Sequence, residues 1–248
     1  MQHLKISIIT VTYNAQNTLS RCIQSVIAQN YANIEYIIVD GASTDGTLQI
    51  ISQYQSQVEV FVSEPDTGIY DAMNKGIKMA TGDVIGILNA DDYFAANNVI
   101  SSVAAAFKEQ DTQVLYGNLN YINPNGFVLR KWRSGTYTHG MFNWGWMPPH
   151  PTFYCRRQLF ETHGLYDTQY GTAADYELML RFVHAHKATT QYLNKVMVNM
   201  AVGGVSNQNY RNRFKAWGND FKAMGKNGVL FPRICIVCKP IRKLFQFI

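Results

Sequence analysis

Four short β-branched runs alternate with segments of helical period across the first hundred residues, and this alternation limits the fold more than any other feature. Ile6–Val11, Ile34–Val39, Val58–Val62 and Val84–Leu88 read as strands. Between them, Leu19, Cys22, Ile23, Val26 and Ile27 recur at helical spacing, as do Ile69, Ala72, Met73, Ile77 and Ala80. Thr47–Tyr54 and Asn97–Phe107 read as further helices. This order, with short links, predicts an α/β fold: a mostly parallel central sheet with helices on both faces. The rhythm changes after Val114. Leu115–Ile122 and Phe127–Trp132 flank Asn123-Pro124-Asn125-Gly126, a hairpin signal. Trp144–Pro151 reads as an aromatic loop over the sheet, Pro151–Cys155 as another strand, and Leu178–Val183 as helical.

In open α/β sheets, ligands bind outside the carboxyl ends of the strands. Strand one ends in Thr12-Tyr13-Asn14, strand two in Asp40 and strand four in Asn89-Ala90-Asp91-Asp92, so these clusters are expected on one rim. Each alone suits a turn; together they mark a candidate site. No Gly-x-Gly-x-x-Gly follows strand one and no Gly-x-x-x-x-Gly-Lys-Ser/Thr occurs, which argues against a dinucleotide fold and a P-loop NTPase. Adjacent carboxylates at a strand end suggest Mg²⁺ or Mn²⁺, bridging one or two carboxylates to substrate phosphates.

Ser7–Asn14, Ile38–Thr47, Glu64–Gly76, Ala80–Asp83 and Leu88–Asp92, in that order, resemble the opening of the family-2 glycosyltransferases with the GT-A fold. Two later islands, His150–Tyr154 and Ala174–Arg181, continue the resemblance, which is nearest to bacterial enzymes of O-antigen, capsule or exopolysaccharide synthesis. The resemblance implies a catalytic domain over 1–204 and an inverting, metal-dependent transfer from a nucleotide-sugar, with UDP expected, to a lipid-linked or saccharide acceptor.

The same resemblance assigns roles. Tyr13, flanked by Thr12 and Asn14, would stack on the donor's base. Asp40 would accept the uracil imide N–H, or cap a turn over Ser43. Asn89-Ala90-Asp91 stands where the family has Asp-x-Asp; Asn89 would reach a ribose hydroxyl or a water, and Asp91 would bind the metal directly. Asp92 is a second metal candidate, or a helix N-cap. Asp66 and Asp71 lie near the nucleotide and diphosphate, although Asp71 also suits a helix N-terminus. Lys75 would offset diphosphate charge, or lie on a solvated helix face. Asp175 would be the base that takes the acceptor proton, or an N-cap for a helix over 176–183. It follows Ala174 where the family often has Glu. His150 would lie beside the acceptor and diphosphate. Trp144 and Trp146 would offer a sugar-stacking platform, or a plain hydrophobic lid.

Charge is divided along the chain. Residues 1–204 hold 13 basic and 16 acidic residues, net −3; residues 205–248 hold nine basic residues and Asp220, net +8. The extension mixes these cations with bulky apolar residues, which suits the anionic inner leaflet of a membrane. Nothing else supports a nucleic-acid partner. Pro232 and Pro240 argue against one long helix there. No signal peptide is visible, and no apolar run approaches the roughly 20 residues of a membrane span. Cys235-x-x-Cys238 has no second pair and no nearby His, so zinc or redox chemistry is not expected. These points suggest a cytoplasmic enzyme, peripheral on the inner membrane face. Two alternatives remain: a nucleotide-sugar-binding subunit with impaired catalysis, which Asn89 and Ala174 would fit, and a sugar nucleotidyltransferase, which lacks the basic Gly-rich loop it needs at Asn14–Asn17.

Overall fold

A computed structural model describes residues 4–108, 111–202 and 210–244. The expected domain boundary at Gly203-Gly204 lies outside the described residues, as do Phe245, Phe247 and Ile248 and the side chains of Arg211, Arg213, Phe214, Lys215, Lys243 and Leu244.

The first half follows the predicted rhythm: β1 (Ile6–Thr12), α1 (Leu19–Ile27), β2 (Ile34–Asp40), α2 (Thr47–Gln53), β3 (Val60–Ser63), α3 (Ile69–Met79) and β4 (Val84–Ile87). A short β5 (Tyr93–Phe94) precedes α4 (Val99–Lys108). Then come β6 (Val114–Ile122), β7 (Val128–Trp132), β8 (Tyr154–Arg156), α5 (Arg157–His163), α6 (Ala174–Met179), β9 (Thr190–Ala201), α7 (Tyr210–Lys226) and α8 (Pro232–Leu244). Among the described residues the strands form one sheet in the order β3-β2-β1-β4-β8-β6-β9-β5, with β7 on β6. The first four of that order are mutually parallel. Antiparallel β8 then separates β4 from β6, and the remainder is mixed.

Strand alternation divides the apolar core between the two faces of the sheet. Ile9, Val11, Ile37 and Val39 face a layer that holds Ala72, Met73 and Ile77 of α3 and Leu178 and Met179 of α6. Ile6, Ile8, Tyr36 and Ile38 face Cys22 and Ile23 of α1 and Val99 and Val103 of α4. Helices cover both faces, as expected.

The basic extension joins this core. Ala223 and Met224 of α7, Val229 of the link that follows and Cys235 of α8 are buried in the same layer as α3 and α6. Gly145 explains the close approach of α8. It has φ 76°, and a Cβ there would lie 2.7 Å from the Lys239 backbone N. Pro232 opens α8, where a missing N–H costs nothing. Pro240 does not end it; the helix continues through to Leu244, held on its packed side by Cys235 and by the Lys239–Asp220 ion pair at 2.7 Å. Cys235 is buried against the Phe142 carbonyl at 3.2 Å, and all four cysteines are unbridged.

At the end of the sheet opposite the polar rim, Glu35 is 2% exposed and accepts from Lys5 Nζ, Ser7 Oγ, Thr81 and Gly82 N. Burial alone would raise its pKa. The hydrogen bonds from Lys5, Ser7 and Thr81 outweigh burial and hold it at about 2.

Candidate active site

Parallel strands deliver three of the expected clusters to one rim. At the end of β1, Thr12 is buried with an unpartnered Oγ1 and Tyr13 is 65% exposed. Asn14 turns the chain at φ 48°, which Asn tolerates. Its N donates to Ser43 Oγ at 2.8 Å and its Oδ1 accepts from Thr44 N at 2.9 Å, so the first two loops are tied together.

Asp40 departs from its expected base contact. It is fully buried; one oxygen accepts from Ser43 Oγ, the other from Ser43 N at 2.9 Å and Ser63 Oγ at 2.7 Å. The turn-capping reading is the one observed, because no face of this carboxylate is left for a ligand. The open acceptor beside it is Asp66. A Cβ on Gly41 would lie 2.5 Å from Asp66 Oδ2 and 3.4 Å from the Tyr13 ring. The Asp66 carboxylate and the Tyr13 ring therefore approach the Gly41 backbone more closely than any side chain there would allow.

The loop into α3 is internally braced. Asp66 Oδ1 accepts from Gly68 N at 2.8 Å, and Asp71 accepts from Thr67 N at 3.0 Å. That backbone hydrogen bond is the chief cause of a lowered Asp71 pKa. Asp71 thus serves the first turn of the helix. Lys75 is partly exposed but engaged: it donates to Pro65 O at 2.8 Å and pairs with Glu64 at 2.8 Å. Its charge is already matched, so it braces this loop.

At the end of β4, Asp92 N donates to Asn89 O at 3.0 Å and closes the Asn-Ala-Asp-Asp turn. Asp92 is no helix cap, since β5 follows it and α4 starts only at Val99. It is 1% exposed and accepts from Ala201 N at 3.2 Å. Burial, then the neighbouring Asp91, raises its pKa well above the carboxylate range. Asp91 is the more accessible of the two carboxylates.

The later half adds a second constellation. His150 Nδ1 lies 3.3 Å from Asp175 Oδ2, with both side chains partly exposed. Asp175 Oδ1 accepts from Tyr176 N at 2.7 Å. It stands in the first turn of α6, one residue after the helix begins, so it is not the N-cap. Tyr70, from the first turn of α3, adjoins it; burial and then the Asp175 charge raise this phenol. The braced loop and the carboxylate thus meet. Trp146 takes no part as a platform. It is 5% exposed, its Nε1 donates to Ser134 O at 3.0 Å, and its rings pack on Tyr116, Tyr137 and Phe142. The hydrophobic reading holds there because those rings cover both of its faces. Trp144 is 52% exposed, with its ring 6.2 Å from that of Phe231, the residue before α8.

Two residues near the centre were not singled out from sequence, Tyr70 and Tyr121. Tyr70 sits inside a segment read only for its apolar period. Tyr121 looks like an ordinary strand aromatic, yet after burial and Arg130 its pKa responds to the charges of Asp92 and Asp175.

A βαβ sheet with an exposed aromatic and partly exposed carboxylates along its rim suits many transferases. The sequence decides among them, since residues 7–166 match the domain described as Glycosyl transferase family 2. The chain belongs to that family. As a family-2 glycosyltransferase it is 33% identical over 186 residues to an uncharacterized glycosyltransferase of Mycobacterium tuberculosis, Rv1514c, covering 71% of this chain and 68% of the relative. It is 33% identical over 129 residues to the Escherichia coli UDP-Glc:alpha-D-GlcNAc-diphosphoundecaprenol beta-1,3-glucosyltransferase WfgD, covering 52% of this chain and 51% of the relative. Among solved structures, S. aureus TarS 1-349 in complex with UDP-GlcNAc superposes with TM-score 0.70 at 19% identity, over 90% of this chain and 66% of that one. The chain spans 39% of the longer TarS chain. The mannosyltransferase PcManGT from Pyrobaculum calidifontis, in complex with GDP-Man and Mn2+, superposes with TM-score 0.69 at 15% identity, over 96% of this chain and 73% of that one. The fold of this glycosyltransferase is therefore GT-A.

The Asn-Ala-Asp-Asp turn fits a hard divalent cation in its donor chemistry. Beside the Asp91 carboxylate, Asn89 Oδ1 and Asp92 Oδ2 are buried oxygens with no protein partner. Orphaned buried oxygens are costly unless a ligand, water or cation completes them. No group of three or more His, Cys, Asp or Glu side chains is preassembled for a metal among the described residues.

Proposed function

We propose that this glycosyltransferase moves a sugar from a nucleotide-sugar, with UDP as the nucleotide, to a hydroxyl of a lipid-linked diphosphate saccharide in bacterial surface polysaccharide synthesis, inverting the anomeric centre. The observation that carries this reading is the His150–Asp175 pair, standing at the rim that also presents Tyr13, Gly41, Asp66 and Asp91. The printed activity of WfgD and the bound ligands of TarS and PcManGT support the donor and acceptor classes.

Tyr13 stacks on the base over Gly41, and Asp66 accepts its N–H. Thr12 Oγ1 and Asn89 Oδ1 are the unpartnered groups for ribose or water. Asp40, Asn14, Asp71 and Lys75 hold the loops that shape this slot. Asp91 is the direct ligand for Mn²⁺ or Mg²⁺, with Asp92 and Asn89 beside it; when bound, the cation neutralises charge on the departing diphosphate. Asp175 Oδ2 takes the proton of the acceptor hydroxyl as its oxygen attacks the anomeric carbon. The bond from that carbon to the diphosphate oxygen breaks, and its electron pair leaves with the nucleoside diphosphate. A single displacement from the opposite face inverts the centre. His150, donating from Nδ1, keeps Oδ2 aimed at the acceptor.

The enzyme works against the inner face of the cytoplasmic membrane. Trp217, Phe221, Leu230, Phe231, Ile234 and Val237 of the C-terminal helical region are exposed large apolar residues. Lys222, Arg233 and Arg242 are exposed among them, a combination suited to an anionic surface. No described helix is long and apolar enough to cross a membrane.

The test is UDP release from a panel of UDP-sugars with a polyprenyl-diphosphate-linked N-acetylhexosamine, with and without Mn²⁺, in wild type and Asp91→Asn. Release should require both acceptor and cation, and the product's anomeric configuration by NMR should be opposite to the donor's. Tight UDP-sugar binding with no turnover under any condition would replace this reading with that of a binding subunit.

A further inference from the structure

The β6–β7 hairpin has no role in the chemistry above, yet it rises from the same rim. Strand β8 is antiparallel to both β4 and β6, so β4 and β6 run the same way and end on the same side. At the turn end of the hairpin, Ile122 pairs with Val128 on one side and with Ala201 on the other, and the Ala201 N–H donates to Asp92. The hairpin therefore projects from beside the Asn-Ala-Asp-Asp turn.

Its tip is ordered and apolar. Asn123 N donates to Phe127 O at 3.0 Å, and Phe127 N donates to Asn123 Oδ1 at 2.9 Å. Beyond this turn Phe127, Val128 and Leu129 are 69%, 45% and 50% exposed. Alternation along a strand should bury one face; here three consecutive large apolar residues stay in solvent. The next residue is Arg130, with its guanidinium carbon 4.3 Å from the centre of the Tyr121 ring and 5.2 Å from that of Trp132. Stacking fixes the plane of a guanidinium that carries five N–H donors. Tyr121, the register partner of Arg130, pairs on its other side with Met200, one residue before the Ala201 that donates to Asp92. Arg130 is followed by Lys131 and Arg133, and no acidic residue occurs between Asp111 and Glu161.

A cation near the reaction centre, continuous with an exposed apolar finger, matches a ligand whose diphosphate is attached directly to a hydrocarbon chain. At about 3.3 Å per residue, the finger reaches roughly 10 Å beyond Arg130. We propose that the β6–β7 hairpin docks the lipid half of the acceptor: Arg130 binds its diphosphate, and Phe127, Val128 and Leu129 enter the bilayer surface beside its hydrocarbon chain. This rests on the reading of the acceptor as a lipid-linked diphosphate.

The experiment is flotation of the full chain with phosphatidylcholine vesicles containing polyprenyl diphosphate, or containing phosphatidylglycerol at matched surface charge. Wild type should bind the polyprenyl diphosphate vesicles about tenfold more tightly than the matched ones, as expected of charge-assisted phosphate contacts. Arg130→Gln and the double variant Phe127→Ser/Leu129→Ser should each abolish that preference, with unchanged melting temperature and unchanged stabilisation by UDP. Lys222→Gln/Arg233→Gln should weaken binding to both vesicle types equally and keep the preference. Absence of the preference in wild type, or its survival in both hairpin variants, overturns the proposal. The readout needs no turnover, so a failed transfer assay with an intact preference refutes the donor reading and leaves the hairpin's role standing.

Discussion

On the parallel half of the rim, Asp40 and Asp71 accept from backbone N–H groups of their own turns, and Asn14 accepts from one in the neighbouring loop. On the later half, the Asp175 carboxylate takes one adjacent backbone N–H and faces His150. The first set is spent on shape; the second, in the function proposed above, is held for reaction. A carboxylate near a ligand site therefore does not by itself mark a ligand contact; what matters is how many of its lone pairs the fold has already taken.

Substitutions can break this comparison. Asp175→Asn should lower kcat by about 10³-fold, the range of a lost general base, while melting temperature and UDP affinity stay unchanged. A parallel fall in melting temperature would place Asp175 with the structural set. Glu35→Gln should do the reverse, costing about 3 kcal/mol of stability, as for one member of a buried ion pair, with kcat preserved in the molecules that remain folded. Its pKa is depressed from 4.5 to about 2, so its contribution is complete above pH 4.5 and is lost as pH falls through 2. Urea unfolding of wild type and variant should accordingly converge in strong acid; a gap that persists there would refute the linkage. Asp40→Ala should cost about 2 kcal/mol by leaving Ser43 and Ser63 donors unsatisfied, and should weaken UDP binding only through the loosened loop. Unchanged stability with lost UDP affinity would return Asp40 to direct base contact. The smallest effect is expected at His150→Asn, an approximately tenfold loss in kcat for a residue that orients the base. An Asn that keeps a donor should retain more activity than Ala.

The parallel half was legible because each strand there is a continuous β-branched run. Ile6–Val11 and Ile34–Val39 were each short by a single residue. Strand β9 was not legible, because Thr190–Ala201 mixes polar and apolar residues and its pairing with β6 shifts register twice. Asp91, Asp175 and His150 could be nominated through the resemblance to the family's motifs. Their separation in space could not, since β8 and α6 reach the rim by way of contacts far apart in sequence. For Trp146 the platform and hydrophobic readings stayed open for a related reason: an aromatic in a loop looks the same whether its partners are a sugar or Tyr116, Tyr137 and Phe142. The charge division near residue 204 suggested a separable tail, but Met224 and Cys235 lie in the main core.

The strand order also has a consequence for biosynthesis. Strand β4 ends at Ile87, and its second neighbour β8 begins only at Tyr154. At ribosomal speed that interval lasts on the order of ten seconds. Throughout it, a nascent chain that has paired β1 with β4 presents the apolar Val84–Ile87 backbone as an open flank. The enzyme is then most exposed to trigger factor-like chaperones and to self-association, and codon choice between residues 88 and 156 should affect its yield more than codon choice elsewhere.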